Sequence, residues 1–389
     1  MTSLQKDLST RCLYVAIELS LETWKLAFST GRAKKPRRRD VPGRGLERLE
    51  EEIACAKRHL GLAADSPVVC CYEAGRDGFW LHRHLTEEGI NNVVVDSSSI
   101  EVNRRQRRAK TDRLDVQKLL SMLIRWHEGE KDVWSVVRVP SAEQEDGRRL
   151  NRELQFLREE QTRHNNRIKG LLIGVGIRLK QIDRNFPKFL QVAEMYNGQP
   201  VPTQLHQELL REFQRMQLTN QQIRELEQQR AKEIRHAEND PQVEQARKLM
   251  LVRGIGVNSS WMFTKEVFGW REFSNRREVG AVFGLVPTPY NSGNSERDQG
   301  ISKAGNRRLR SMAIEIAWGW LRFQPDSQLT KWFMKRFANG SKRQRRIGIV
   351  ALARKLVIVL WRWLTSGEIT DGFQLRDGPP TISYTASLS

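Results

Sequence analysis

Four short apolar runs crowd the first hundred residues: 12–19 (CLYVAIEL), 22–29 (ETWKLAFS), 67–73 (PVVCCYE) and 91–96 (NNVVVD). Runs of this length and composition are strand signals. The first two are separated only by Ser20-Leu21 and predict a β-hairpin. The basic residues 32–39 predict a loop or an edge strand. Between the runs the period changes. Residues 44–60 place Leu46, Leu49, Ile53 and Ala56 on one helical face, residues 78–88 read as a helix, and a third helix spans about Asp112 to His127. Hairpin, helix, strand, helix, strand, helix is the order of an α/β layer in which helices cover a sheet.

Pro140 ends that unit. Ser141 with Gln144 resembles a capping box that opens a new helix. From there to about residue 240 the chain is rich in Glu, Gln and Arg. Leu150, Leu154, Phe156 and Leu157 make one narrow apolar stripe. Leu205, Leu209, Leu210, Phe213, Met216 and Leu226 make another. A break from Asn185 to Thr203 separates them, so two long helices are expected in an antiparallel hairpin or coiled coil. The imperfect heptads leave parallel dimerisation open. Further helices are expected near 242–252, 258–268, 274–283, 304–323 and 342–365, with a loose tail over roughly the last twenty residues. The expected domains are therefore 1–140, 141–241 and 242–389, the last mainly helical.

The chain of 389 residues is 39% apolar, as a folded protein requires. No signal segment is expected at the N-terminus, because residues 1–11 are polar. Gly348 to Leu364 is the most apolar stretch, but Arg354, Lys355 and Arg362 interrupt it, which suits an amphipathic helix and not a membrane span. The four cysteines (Cys12, Cys55, Cys70, Cys71) form no C-x-x-C pair and are expected to be free thiols in a reducing compartment.

Net charge is +20. Such an excess calls for a polyanionic partner, with nucleic acid the default and an anionic membrane the rival. The charge is clustered at 32–39 (RAKKPRRR), 104–110 (RRQRRAK), 306–310 (NRRLR) and 342–346 (KRQRR). Repeated clusters favour a path for a phosphate backbone over one solvated face.

Four acids stand where a nuclease of the RNase H type needs them. Glu18 and Glu73 end strands, and Asp112 and Asp115 are spaced i, i+3 on one helical face. Each alone has an ordinary reading: Asp112 after Thr111 favours a helix N-terminus, Asp115 can pair with an arginine, and Glu73 before Ala74-Gly75 can be a turn residue. Together they can converge on Mg²⁺ or Mn²⁺, which take hard oxygen ligands. Asp96, also at a strand end, is a spare candidate.

Residues 284–305 (GLVPTPYNSGNSERDQGISKAG) read as a polar, glycine-rich loop between two helices. Ser292 between Asn291 and Gly293 is a candidate nucleophile, and Ser is also common in ordinary turns. No histidine follows His236, so a hydrolase triad within this domain is disfavoured. Arginines, a lysine such as Lys303, or metal-bound groups from the first domain would have to assist Ser292. Upstream, Gly254-Ile255-Gly256 between helical stretches resembles a helix-hairpin-helix whose turn amides can hold a phosphate, and it can equally be a plain turn. The eleven tryptophans mostly fall at helical spacing and read as core.

These segments together resemble one family along nearly the whole chain: the DEDD transposases of insertion sequences (the IS-one-ten type), also described as bridge-RNA-guided recombinases. Lys110-Thr111-Asp112-Arg113-Leu114-Asp115-Val116 through Leu119 matches its K-T-D-x-x-D element, and Glu73-Ala74-Gly75 loosely matches another. Gly254–Gly256, Gly284–Pro287, Asn291–Gly293 and Ser302–Asn306 match the C-terminal elements in order. The resemblance implies a RuvC-like domain with Glu18, Glu73, Asp112 and Asp115 as metal ligands, and Ser292 as a nucleophile that attaches to DNA through a phosphoserine. It implies element ends and target DNA as substrates, a structured guide RNA, and a homo-oligomer, dimer or tetramer. It places the protein in the cytoplasm, with the nucleoid, and with no membrane partner. Arg104, Arg105, Arg107, Arg108, Lys110, Gly254, Gly256, Lys303, Arg307 and Arg308 are the expected nucleic-acid contacts. Glu18 departs from the family's usual Asp by one methylene, and Ser295 and Ser302 stand as alternatives to Ser292. A metal-dependent junction or strand nuclease using water is the rival function, and a non-catalytic nucleic-acid-binding protein is a second.

Overall fold

The computed structural model describes residues 11–378 except 33, 77, 101–111 and 293–294. The chain forms two compact units, one ending at Val139 and one beginning at Pro140.

The first unit is built on five strands: β1 (Leu13–Glu18), β2 (Thr23–Ser29), β3 (Arg37–Pro42), β4 (Val68–Glu73) and β5 (Asn91–Val95). Their order is β3-β2-β1-β4-β5. The β1–β2 hairpin forms as expected, and β4 and β5 run parallel to β1. Helices α1 (Leu46–His59), α2 (Trp80–Glu87) and α3 (Asp112–His127) cover the sheet. Alternation along the strands sorts their side chains into two cores. Tyr14, Ala16, Cys71 and Val95 pack with Leu119 and Leu123 of α3. Val15, Ile17, Tyr72 and Val94 pack with Leu49 of α1 and Leu85 of α2. Burial on both faces is why the central runs are almost continuously apolar. The basic run supplies the edge strand β3. Its Arg37 donates to Glu52 at 2.9 Å, a carboxylate that is only 6% exposed. Arg32, from the same run, pairs with Glu128 and Glu130. All four cysteines are free thiols; Cys12, Cys70 and Cys71 are buried, and burial raises the Cys70 and Cys71 pKa values.

In the second unit Ser141 and Gln144 do form the capping box, but it opens only the short α4 (Ala142–Asp146). The long helices are α5 (Arg149–Ile173) and α7 (Thr203–His236). They lie antiparallel within one chain, and polar rungs fix their register: Arg158–Glu227, Gln161–Asn220, His164–Glu212 and Arg167–Glu208. Burial pushes the Glu212 carboxyl up, but hydrogen bonds from His164 and Arg215 outweigh it and hold the group below the usual range. The break begins at Gly174, not Asn185, and contains α6 (Phe186–Val192). Its apolar residues Ile177, Ile182, Phe186 and Val201 bury against Leu172, Leu209 and Phe213, so what reads as a linker is a folded cap.

The remaining helices are α8 (Pro241–Met250), α9 (Val257–Phe263), α10 (Arg276–Val282), α11 (Arg307–Phe323), α12 (Gln328–Phe337) and α13 (Lys342–Ser366). Three expectations need correction. Residues 284–305 are not a loop between helices: β6 (Pro287–Ser292) and β7 (Ser295–Ile301) pair antiparallel, because backbone pairing overrides a polar, Gly- and Pro-rich composition. Helix α12 went unread; Ser327 caps it and Leu329 and Phe333 bury its apolar face. The tail is docked as far as Arg376, whose N–H donates to the Leu251 carbonyl at 2.7 Å, while Phe373 packs on Trp320 and Trp363. Residues 379–389 lie outside the described residues. Among those described, no helix is long and apolar enough to cross a membrane.

Candidate active site and nucleic-acid interface

Glu18 and Glu73 are the last residues of β1 and β4. These neighbouring strands are parallel with Ile17 beside Tyr72, so the two glutamates follow side by side. Ile17 and Tyr72 face α1 and α2, and the next residue on each strand turns to the opposite face, the one α3 covers.

Two contacts set the direction of α3. Tyr14, near the start of β1, places its Oη 3.0 Å from His127 Nδ1 at the end of the helix. Farther along the sheet, Cys71 Sγ lies 3.9 Å from the Leu119 carbonyl. The helix therefore runs against β1 and β4. Going from Leu119 back to Asp115 is one turn, about 6 Å. Going from Cys71 on to Glu73 is two strand residues, about 6.6 Å. Asp115 and Glu73 thus advance toward the same end of the sheet, where Glu18 also stands. Asp112 opens α3, but its side chain lies outside the described residues. Glu18, Glu73 and Asp115 are all half-buried. Asp96 lies one residue beyond β5, out of step with the inward-facing Val93 and Val95 of this side. All four expected ligands are carboxylates, a donor set that suits Mg²⁺. Among the described residues no three such groups already form a metal cage.

Ser292 closes β6 directly opposite Ser295 on β7. Its side chain lies outside the described residues, as does that of Ser295. Ser302 follows β7, and its N–H donates to the Val286 carbonyl at 2.8 Å. The foot of this hairpin is a backbone crossing. A Cβ built on Gly305 would lie 2.3 Å from the Gly284 nitrogen and from the Val282 carbonyl oxygen. Gly284 itself has φ +63°. Arg310 of α11 ties the crossing together: its Nη1 donates to the carbonyls of Lys303 at 3.2 Å and Gly305 at 3.4 Å. Lys303 sits in the left-handed region at φ +57°.

Gly254-Ile255-Gly256 does form the turn from α8 to α9. Gly254 has φ +92° and faces Phe323, and Ile255 is fully buried. The Gly256 N–H donates to Ser259 Oγ at 3.1 Å and is therefore used within the turn.

Of the expected basic contacts, Arg104, Arg105, Arg107, Arg108 and Lys110 lie outside the described residues. Arg307 and Arg308 start α11, where Asn306 Oδ1 accepts from the Arg308 N–H at 2.9 Å. Lys303 lines a cavity of about 1140 Å³ beside the hairpin foot. The 342–346 cluster reaches the same cavity through Arg343 and Arg346. Arg310 of the 306–310 cluster lines it too, and sequence reasoning missed Arg276, Arg277, Arg354 and Lys355 as the residues that complete its basic lining. The signal was present: 343, 346, 347, 350, 351, 354, 355 and 358 recur with helical period and form one face of α13.

Residues 246–331 match the model of the Transposase IS116/IS110/IS902 family. The chain is 37% identical over 386 residues to a putative transposase, y4rJ, of Sinorhizobium fredii, covering 96% of this chain and 97% of that protein. It is 23% identical to the transposase for insertion sequence element IS1328 of Yersinia enterocolitica, over 79% of this chain and 87% of that one. It is 28% identical to a probable family 20 transposase of Pseudomonas aeruginosa, over 59% and 66%. The family match covers the α8–α9 turn, the serine hairpin and its glycine crossing, and the y4rJ likeness extends to both units: the chain belongs to the IS116/IS110/IS902 family of transposases.

Proposed function

We propose that this transposase cuts and rejoins DNA with two chemical parts, a carboxylate site for Mg²⁺ or Mn²⁺ in a RuvC-like first unit and Ser292 as nucleophile in the second. The observation that carries the first part is the arrangement of Glu18, Glu73 and the N-terminal turn of α3 at one end of the sheet. The strand order β3-β2-β1-β4-β5, with its antiparallel hairpin and parallel β4 and β5, supports the RNase H-type reading. Glu18, Glu73, Asp112 and Asp115 would hold the ion, which when bound offsets charge on the reacting phosphate oxygens. Glu18 in place of Asp keeps an oxygen ligand on a side chain longer by one methylene.

Ser292 Oγ attacks a phosphodiester phosphorus. The Oγ–P bond forms, a sugar oxygen leaves, and the departing strand takes up a proton. The phosphoserine link conserves the phosphodiester, so a hydroxyl of another strand can displace the serine without ATP. A structured guide RNA selects the sites by base pairing while protein contacts read backbone and shape, and a homo-oligomer supplies more than one copy of each part.

The test is a strand-transfer assay with Mg²⁺, element-end and target DNA, and RNA from the flanking non-coding region, run beside Ser292→Ala. A covalent protein–DNA band that disappears in the variant is expected. Metal-dependent cleavage that survives Ser292→Ala, with no adduct, would instead mean water as the nucleophile.

A further inference from the structure

The cavity beside the hairpin foot combines two kinds of lining. Arg276 and Arg277 on α10, and Arg343, Arg346 and Arg354 on α13, make its lining strongly cationic. Leu285, Ile301 and Ile314, with Ile347, Val350 and Ile358 set among the α13 arginines, make the rest of the lining apolar. No described carboxylate lines it. None of those five arginines forms an ion pair with a described carboxylate, in contrast to Arg32 and Arg37 of the first unit. A surface built only to hold the outside of a duplex needs the cations and not the aliphatic side chains. The bases of a duplex are stacked, and only their edges are open in the grooves. An unpaired nucleotide presents both a phosphate and a flat apolar face. The volume, about 1140 Å³, exceeds the range of roughly 300–1,000 Å³ for sites that enclose small ligands. That is room for a short unpaired stretch.

We infer that this cavity takes unpaired single-stranded DNA, with at least one base laid on the aliphatic side chains and the flanking phosphates held by the α10 and α13 arginines. The inference rests on the chain's action on DNA and states which form of the strand this surface accepts. The Gly284–Gly305 crossing fixes the cavity to the root of the hairpin, and Ser292 closes the other end of β6, five strand residues or about 17 Å along from Pro287.

The experiment measures anisotropy of fluorescein-labelled 12-nucleotide DNA with the full chain. Three probes are compared: a single strand, the same strand with three central abasic sites, and the corresponding duplex. The charge reversals Arg343→Glu with Arg346→Glu are set against Arg211→Glu with Arg224→Glu, an equal change of charge on the exposed face of α7. The expected result is single-strand affinity lowered about tenfold or more by the cavity pair, and much less by the α7 pair. Ala351→Phe, which fills the cavity, and Ile347→Gln, which makes an exposed part of its wall polar, are expected to weaken the intact strand about fivefold while leaving the abasic strand unchanged. The two act differently, so a folding defect in one leaves the other decisive. Equal responses of intact and abasic strands, or a duplex that binds as tightly and responds identically, would reduce the cavity to a general basic surface. These readings are independent of the serine chemistry: loss of the Ser292 adduct with base-dependent single-strand binding intact overturns only the nucleophile.

Discussion

Tyr14 Oη and His127 Nδ1 meet at 3.0 Å across 113 residues of sequence, with their rings edge to face at 5.5 Å. The pair anchors the C-terminal end of α3 at the start of β1, and so sends Asp112 and Asp115 to the other end. Tyr14→Phe keeps the ring and removes the hydrogen bond. It is expected to cost about 1 kcal/mol in chemical denaturation, with DNA cleavage nearly unchanged. A loss of cleavage larger than the loss of stability would show that α3 had shifted.

The acids should behave as ligands rather than as braces. Glu73→Gln and Asp115→Asn are each expected to lower cleavage at least about 100-fold, with melting temperatures close to that of the parent. Chelation by EDTA should abolish cleavage, and Mn²⁺ should restore it. Glu18→Asp should retain activity where Glu18→Gln does not. If the Gln and Asn variants cleave normally, the carboxylate site is wrong.

Gly305→Ala introduces a methyl group where backbone nitrogen and carbonyl oxygen lie within 2.3 Å. The neighbours are main chain and cannot yield as a flexible side chain would. Destabilisation of about 3 kcal/mol or more is expected, read by urea unfolding of the full chain. Gly170→Ala, at a glycine of α5 that like Gly305 lacks a positive φ but has open space around it, is the comparison without a clash and should not destabilise the chain.

Burial, reinforced by the neighbouring Arg83 charge, holds the His82 imidazole below its ordinary pKa. The unfolded chain therefore takes up this proton before the folded chain does. The contribution of His82 is complete above the ordinary histidine range, is lost as pH falls through it, and levels off below the folded value. The melting temperature should fall more between pH 7.5 and 5.5 in the parent than in His82→Gln. Identical pH profiles would contradict the assignment.

Binding to single-stranded DNA should weaken with salt along a log–log slope of about −0.7 per phosphate contacted. Arg276→Gln with Arg277→Gln should make that slope shallower. A flat salt response in the parent would remove the electrostatic basis of the interface.

The first unit was legible almost element by element, because short continuous apolar runs such as Leu13–Ile17 give way to segments of clear helical period. Glu18 and Glu73 could be placed at strand ends, but nothing in their spacing states that β1 and β4 are neighbours; that follows from pairing across fifty residues of chain. The serine segment was misread as a loop because its strands hold Pro287, Pro289, Gly300 and many polar side chains, and draw their order from Gly284 and Gly305. The RAKKPRRR run looked like one ligand surface, yet its Arg37 is committed to the buried Glu52. The arginines of the cavity were the reverse case, since Arg276 of α10 and the α13 arginines Arg343 and Arg354 belong to two stretches of sequence that only the fold brings together.

The rungs between α5 and α7 are four polar pairs, evenly spaced every three residues on α5 but seven, eight and four residues apart on α7, not a repeating leucine seam. A repeating seam can slide by a heptad and still fit; this set has a single phase. Four residues inserted into α7 alone would move its acids away from Arg158 and Arg167 and leave the buried Glu212 without His164. Equal insertions in both helices, placed between the same two rungs, would keep every pair. The rod can therefore change length only by paired edits that lengthen or shorten both helices together between the same two rungs.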